Sequence, residues 1–550
     1  MTKNKCDKIK IALTYAPSEQ QFLPVPPLGI SALSQHLLNN DIDNDVIDLE
    51  LELWLSQGGK SSDYASKDVE ELEIDKLPIN ALVDILIDYD VVAFSLMGRR
   101  QLAYVIAISK VLRQKSNKLK YVIVGGAFFT EKNSKDIIET WKGIVDYVIV
   151  GEGWNPLKEL LFDIKKNIRR NGIPGVACID EQGNFVYEKS ESWEGDLPIP
   201  NYQNININGY VRQQNDLYGI QDDRIVYHIL VGDRRCPYRC SFCRISENTK
   251  KVKKPIEIAD EMIELNKLCN AERFSLVCNE MNPTQQYFED FLDRLLTYKK
   301  KLYWFCYLRP NNLSLDTLMK ARMAGCVLIR YGVETGSQKI LDHMNKKLYV
   351  DEMRQIMENT HKAGIWNHIN IVTGYLHENE KDVGLTLDFL EDNKRYIDSV
   401  RVNPFYVPIN SPIHLNPQKY GISLRKNTGS YIQFDEPEKS WEEKQVWIKK
   451  TTEVILKKCI ECDINFAGIL PFLVAVAVAH FEDVSITKNW IKQKHSYLCQ
   501  PISPDTAKWR LAHPDRGDVM INKWSEIAGK RGANYQTLSE MNDDAEEDSY

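Results

Sequence analysis

Ile225-Val-Tyr-His-Ile-Leu-Val231 is an apolar-rich run, and after a short gap comes Cys236-Pro-Tyr-Arg-Cys240-Ser-Phe-Cys243. The run reads as a buried strand and the triplet as the loop that follows it. Cysteine thiolates hold iron–sulfur clusters, and four of them would close a cube-shaped cluster. Three leave one iron open, much as a catalytic zinc keeps one position for its substrate. Pro237 argues against a helix here, so the three sulfurs can converge. A zinc site, or three incidental core cysteines, are the alternatives. Zinc would want a fourth ligand, and the next candidates, Cys269 and Cys278, fall on a helix and at a strand end. Cys306 and Cys326 flank strands and are most simply core residues.

Working outward, the triplet opens an alternating series. Its strands are expected at Ile225–Val231, Arg273–Val277, Tyr303–Tyr307, Val327–Val333, His368–Val372 and Ser399–Tyr406. Helices fall between them, notably Ile256–Cys269, Pro283–Thr297 and Val350–Ala363. Six β/α units are too few for a closed eight-stranded barrel, which makes an open partial (β/α)6 barrel over 223–415 the natural architecture. Upstream, residues 1–190 alternate in the same way: strands at Ile9–Leu13, Asp45–Asp48, Val91–Leu96, Tyr121–Val124 and Tyr147–Val150, with helices between. The continuous apolar strands are those of a sheet covered on both faces, so a doubly wound parallel sheet of roughly five strands is expected. Residues 191–222, with Pro198, Pro200 and the Asn-rich stretch 201–208, read as a linker. Residues 416–540 read as a mainly helical C-terminal domain, Trp441–Ile464 being the clearest helix. Residues 541–550 read as an acidic disordered tail.

The chain has 550 residues, 43% hydrophobic and 27% charged, which is ordinary for globular proteins and excludes a disordered, collagenous or coiled-coil chain. Its 70 basic and 77 acidic residues give a net charge of −7, with no basic segment suited to nucleic acid. The longest apolar stretch, Phe466–Ala479, is interrupted by Gly468 and Pro471. It falls short of the about 20 residues a membrane span needs, and reads as a buried helix. With no secretory signal and 12 sparse cysteines, a cytoplasmic setting is expected.

The triplet resembles the C-x3-C-x2-C signature of the radical S-adenosylmethionine (SAM) enzymes, with Phe242 as the aromatic before the last cysteine. The resemblance implies a 4Fe–4S cluster on Cys236, Cys240 and Cys243. Its open iron would bind the amino and carboxylate groups of SAM, and reduction would release a 5′-deoxyadenosyl radical. It also implies an external electron donor such as flavodoxin or ferredoxin, and assigns no side-chain acid or base. Tyr331-Gly-Val-Glu334-Thr335-Gly-Ser337 resembles the family's Gly-Val-Glu-Ser-Gly-Ser, where a carboxylate accepts hydrogen bonds from ribose hydroxyls or an ammonium. The same stretch can also start a helix with Ser337 as its capping oxygen. Glu280 stands where the family binds the methionyl ammonium, although the family's paired glycines are absent. Arg309 would neutralise the carboxylate, and Gly374 stands where the fifth strand meets adenine.

The first 190 residues resemble the cobalamin-binding, Rossmann-like domain fused to one large subgroup of that family. Pro26-Pro-Leu-Gly-Ile30 opens the first helix as it does there. Ser95-Leu-Met97, Gly125-Gly126 and Gly151-Glu152-Gly153 follow consecutive strands, at the sheet edge where such a ligand would lie. The Asp-x-His-x-x-Gly motif is missing after the first strand, so the resemblance implies cobalamin bound base-off without a histidine ligand. His36, on the first helix, reads as an ordinary helix-face residue. The implied activity is methyl transfer to an unactivated carbon, or phosphorus, of a small molecule or peptide. Rearrangement, cyclisation or oxidation without methyl transfer is the alternative, and a non-catalytic iron–sulfur or cobalamin carrier is the alternative of a different class. A methylthiotransferase is disfavoured, because the N-terminal region has only Cys6 and Cys178. A monomer is expected.

Overall fold

The computed structural model describes residues 9–18, 24–60, 73–168, 172–191, 193, 195–232, 236–243, 253–427, 431–464 and 471–495. The chain divides into two compact units, 1–228 and 229–550.

The first unit is a seven-stranded sheet in the order β2-β1-β3-β4-β5-β6-β7. Strands β1 (Ile11–Tyr15), β2 (Asp45–Asp48), β3 (Val91–Ser95), β4 (Tyr121–Gly125) and β5 (Tyr147–Ile149) are parallel, as the alternation predicts. Two further strands, β6 (Val176–Ile179) and β7 (Phe185–Val186), add antiparallel at one edge. They are short and lack a helix between them, which is why alternation alone does not reveal them. Helices α1 (Leu28–Leu38), α2 (Leu49–Ser56), α3 (Asn80–Leu86), α4 (Arg99–Lys115), α5 (Glu131–Thr140) and α6 (Trp154–Lys165) connect the strands. Two separate apolar cores flank the sheet: Val92, Phe94, Val122 and Val124 join one, and Ile11, Leu13, Ala93 and Ile123 the other. That is period-two alternation in strands covered on both faces.

The stretch 191–222, expected as a linker, instead carries helix α7 (Ile207–Tyr218) within this unit. The Asn206 side chain caps it by accepting from Gly209 N, so the asparagines that suggested a loop are a helix start. Tyr210 of α7 donates to Asp48 Oδ2 at 2.5 Å, and Asp48 also caps α2 by accepting from Glu50 and Leu51 N. Burial pushes the Asp48 carboxyl up to about 6 from its ordinary 3.8. The folded state therefore favours the protonated form, and this contribution to stability is lost as pH rises from about 4 through 6. Asp48→Asn is expected to remove a slope on the order of 2–3 kcal/mol in that window, read by urea unfolding at several pH values. An unchanged slope would show that Asp48 is ionised when folded.

The second sheet has six parallel strands in sequential order: β8 (Val226–Leu230), β9 (Arg273–Val277), β10 (Tyr303–Leu308), β11 (Cys326–Glu334), β12 (Trp366–Thr373) and β13 (Ser399–Pro404). Between them run α8 (Pro255–Cys269), α9 (Gln285–Leu296), α10 (Leu315–Met323), α11 (Gln338–His343), α12 (Val350–Lys362) and α13 (Glu380–Asp392). This is the open partial barrel expected from six β/α units.

After it the chain is not helical at once. Strands β14 (Val407–Pro408), β15 (Ser423–Asn427) and β16 (Tyr431–Asp435) form a small antiparallel sheet, with the one-turn helix α14 (Pro412–Leu415) between β14 and β15. Helices α15 (Trp441–Glu461), α16 (Pro471–Phe481) and α17 (Val484–Lys494) follow. Leu473 to Ala479 of α16 are buried, as their apolarity predicts, whereas residues 466–470 of that stretch lie outside the described residues. Residues 496–550, including the acidic segment 541–550, lie outside them as well. Among the described residues, no helix is long and apolar enough to cross a membrane.

Candidate active site at the carboxyl end of the barrel

The cysteine loop follows β8, and its backbone is held from several sides. Cys243 N bonds Cys240 O at 3.1 Å, Ser241 N bonds Met344 O at 2.9 Å, and Ile413 N bonds Ser241 O at 3.1 Å. The Ser241 hydroxyl lies 2.6 Å from Tyr375 Oη, and Asn345 Nδ2 donates to Arg239 O at 2.7 Å. A loop pinned at consecutive residues has a fixed direction for its side chains. Cys236, Cys240 and Cys243 form no disulfide. Among the described residues, no three His, Cys, Asp or Glu side chains converge as they would on one ion such as zinc. An iron–sulfur cluster binds through several cysteines and does not need that convergence. Three cysteines outside any disulfide, two of them on a pinned turn, fit such a cluster.

Of the six expected SAM-site residues, Phe242 lies in this loop, Glu280 and Arg309 meet it, and Glu334 reaches it through Lys346. Glu280 Oε2 lies 3.4 Å from Cys236 Sγ. Burial pushes the Glu280 carboxyl up to about 7, and Arg309 and Lys346 act against that. Burial, then Glu280, pushes the Cys236 thiol up to about 12, a tendency that a bound metal reverses. Arg309 is buried rather than on the surface; its guanidinium stacks on Tyr238 at 3.5 Å and donates to Lys346 O. Glu334 ends β11 with φ +68°, an uncommon conformation for a residue with a side chain. Its Oε1 accepts from Lys346 Nζ at 2.7 Å, and both side chains are about nine-tenths buried. Gly332 makes room for the pair, since a Cβ there would lie 2.7 Å from Glu334 Oε1 and 2.8 Å from Lys346 Nζ. Lys346 Nζ also lies 5.6 Å from the centre of the Phe242 ring.

The other two face elsewhere. Thr335 Oγ1 bonds Thr386 Oγ1 of α13 at 3.0 Å. Gly374, at φ +72°, packs against Ile448 of α15. Ser337 caps α11, as the alternative for that stretch foresaw. Lys346 and Tyr238 complete the group, yet the sequence reading passes over them. Lys346 belongs to no motif, and only its tertiary proximity to Glu334 marks it; Tyr238 sits inside the triplet and is a visible aromatic that spacing rules ignore.

The carboxyl edge of the first sheet brings β1, β3, β4 and β5 ends together. Ala16 N bonds Ser95 O at 3.2 Å, and Leu96 N bonds Gly125 O at 2.8 Å. Met97 is 57% exposed beside this edge. Gly151, at φ +86°, would as alanine meet only Ser190 Oγ at 3.9 Å. Gly126 is different: at φ +111° its Cβ would sit 2.3 Å from Leu96 O, so the backbone itself requires glycine there. Gly125 abuts Ile149, and Gly153 lies against Leu33. Glu152 Oε2 accepts from Trp193 N at 2.8 Å. His36 is buried between Trp154 and Trp193, ring centres 5.6 and 4.9 Å away, and burial lowers its pKa.

Residues 232–390 match the Radical SAM superfamily. The chain is 22% identical over 404 residues to the uncharacterized methyltransferase PH0819 of Pyrococcus horikoshii, covering 69% of this chain and 77% of that protein. Among solved structures, the cobalamin-dependent SAM radical enzyme OxsB, with aqua-cobalamin and SAM bound, superimposes with a TM-score of 0.54 at 16% identity. The match covers 96% of this chain and 81% of that one. The radical SAM methyltransferase TsrM of Kitasatospora setae, with cobalamin and a [4Fe-4S] cluster, gives 0.52 at 14% identity over 76% of this chain and 78% of that one. The fold of the described residues is therefore that shared by OxsB and TsrM. With its cysteine triplet on the loop after the first barrel strand, the chain carries a radical SAM domain over residues 232–390 and is a radical SAM enzyme.

Proposed function

We propose that this enzyme transfers a methyl group to an unactivated carbon, or phosphorus, of a small molecule or peptide, using cobalamin held by the first unit. The supporting observation is that one chain carries both the cysteine triplet and, in its other unit, a five-stranded parallel edge where Ser95 and Gly125 end β3 and β4 while Met97 and Gly151 follow β3 and β5. Exposed Met97 and open-flanked Gly151 fit a large ligand at that edge. Gly126, Gly153 and Glu152 shape the adjoining turns. When bound, the cluster with SAM supplies a hydrogen-abstracting radical, and cobalamin supplies the methyl group.

In this reading the chain's own groups bind and orient. Cys236, Cys240 and Cys243 hold the cluster. Glu280 and Arg309 offer opposite charges to the amino and carboxylate ends of SAM, and the Arg309 plane is set by Tyr238. Glu334 offers a carboxylate whose position is set by Lys346. Thr335 and Gly374 support these walls through α13 and α15. An external electron donor such as flavodoxin or ferredoxin would reduce the cluster.

The deciding experiment is anaerobic reconstitution with iron, sulfide and hydroxocobalamin, then mass spectrometry of candidate substrates for a gain of one methyl. Retention of the cluster without any cobalamin would move the assignment to radical chemistry without methyl transfer. The buried position of His36 gives a further expectation. His36→Ala leaves the cob(II)alamin electron paramagnetic resonance spectrum unchanged and free of nitrogen superhyperfine splitting. A nitrogen splitting lost in His36→Ala would establish histidine ligation instead.

A further inference from the structure

The segment that leaves β12, residues 374–378, is fastened to helix α15 on one side and to the cysteine turn on the other. Glu378 Oε2 accepts from Gly374 N at 2.8 Å and from Trp447 Nε1 of α15 at 3.3 Å. Lys444 Nζ, also on α15, donates to Tyr375 O at 2.9 Å and to Glu436 Oε1 at 2.8 Å. Glu436 Oε1 accepts as well from His377 N at 2.9 Å. The Lys444 side chain is 0% exposed. Replacing such a buried ion pair by apolar side chains of similar volume is often neutral or stabilising, so stability is not its distinctive contribution. What it adds here is direction: Tyr375 O and His377 N are placed by charge-assisted hydrogen bonds rather than by packing alone.

Tyr375 carries that hold across to the cysteines. It is 0% exposed, and its ring lies edge-on to Phe405 at 4.8 Å, His343 at 5.6 Å and Phe242 at 6.4 Å. Its hydroxyl lies 2.6 Å from Ser241 Oγ, in buried surroundings where either oxygen can donate to the other. His343 O lies 3.5 Å from both hydroxyls. Ser241 directly follows Cys240, and its backbone bonds Met344 O and Ile413 N. The aromatic contacts alone would suit a phenylalanine at 375; the hydroxyl is what reaches the turn.

We propose that Tyr375 is a positioning residue for the iron–sulfur cluster, its hydroxyl holding the Cys240–Cys243 turn, and that Lys444 of α15 positions Tyr375 in the same way. The inference rests on the cluster reading of the cysteine triplet and not on cobalamin or methyl transfer. It gives the helix that follows the barrel a part in the reaction site. Hydrogen bonding and ligand orientation around a cluster tune its electronic state, so the hold on the turn is legible in the cluster's spectrum.

Hydrogen–deuterium exchange of the full-length apo enzyme reads that hold before any cluster is present. In Tyr375→Phe, which keeps the ring, the amides of residues 240–243 should exchange about tenfold faster, with β8 and β12 unchanged. Ser241→Ala removes the same contact from its other end and should match it, and the double variant should exchange no faster than either single one. Lys444→Met/Glu436→Gln, which removes both buried charges together, should loosen 374–378 and 240–243 alike. After anaerobic reconstitution, the electron paramagnetic resonance spectrum of the reduced cluster should shift or broaden in Tyr375→Phe while iron stays at about four per chain. Turn exchange within about twofold of wild type in both single variants overturns the proposal. So do additive effects in the double variant, or a cluster spectrum that superimposes on wild type. Unchanged turn exchange in the charge-free variant overturns the part assigned to Lys444. A wild type that takes up no iron removes the cluster reading and the proposal with it, whereas normal iron uptake with an unmoved turn rejects the positioning role alone.

Discussion

Cys240→Ala protein, reconstituted with iron and sulfide, is expected to lose the cluster and with it all reductive cleavage of SAM. Wild type should hold about four irons per chain and, with a strong reductant, release methionine and 5′-deoxyadenosine. The loss should be total rather than graded. Cys240 is 7% exposed on a turn bonded through Cys243 N, and its neighbour Ser241 is tied to both Met344 and Tyr375, so the turn is held in place around it. Cys278 is committed to the end of β9, its thiol directed at Leu276 O, and burial pushes it up to about 12. A Cys236/Cys240/Cys243 triple alanine variant that kept about four irons would refute the assignment outright.

Lys346→Met is expected to destabilise the barrel unit by about 3–5 kcal/mol, because it leaves the Glu334 carboxylate buried without its cation. Lys346 gains from Glu334 and Cys240 more than burial takes away, so its pKa is raised and it is charged at neutral pH. The double variant Lys346→Met/Glu334→Gln should recover most of the loss, since it removes both charges together. Urea unfolding under anaerobic conditions reads both. A single-variant effect below about 0.5 kcal/mol would mean that water screens the pair, as it does at a surface. SAM affinity separates stability from binding: Glu334→Gln should weaken it by about 1.5–3 kcal/mol, the worth of a charge-assisted hydrogen bond. If affinity is unchanged, Glu334 is a partner for Lys346 and nothing more.

The two expectations differ in how they could be found. The triplet is local: its three residues lie within one loop, and their chemistry is carried by residue type and spacing. The parallel strands were legible for a related reason, because continuous apolar runs such as Tyr121–Val124 and Tyr147–Val150 have no other stable home than a sheet covered on both faces. The antiparallel pair β6 and β7 and the small sheet before α15 were not legible. Their strands are short, and what holds them is pairing with partners distant in the chain rather than any period of their own. Helix α7 was hidden for the opposite reason, since its capping asparagine looks the same in a loop.

The site shows the same division. The family resemblance, with position at the strand ends, nominated Glu280, Arg309 and Glu334, and carboxyl-end residues of barrel strands do gather at one face whatever their side chains do. Which of the nominees meet depends on side-chain direction, and that is set by contacts far apart in sequence. Thr335 follows Glu334 directly, yet it turns to Thr386, while Lys346, twelve residues on, closes the ion pair. Arg330 and His368 stand on strands separated by the two helices α11 and α12 and become neighbours only through the register of β11 and β12. The chain's own letters are enough to specify the cluster chemistry and the two α/β architectures. Tertiary structure alone decides charge pairing, because a buried charge is determined by the groups that surround it, and those come from distant parts of the chain.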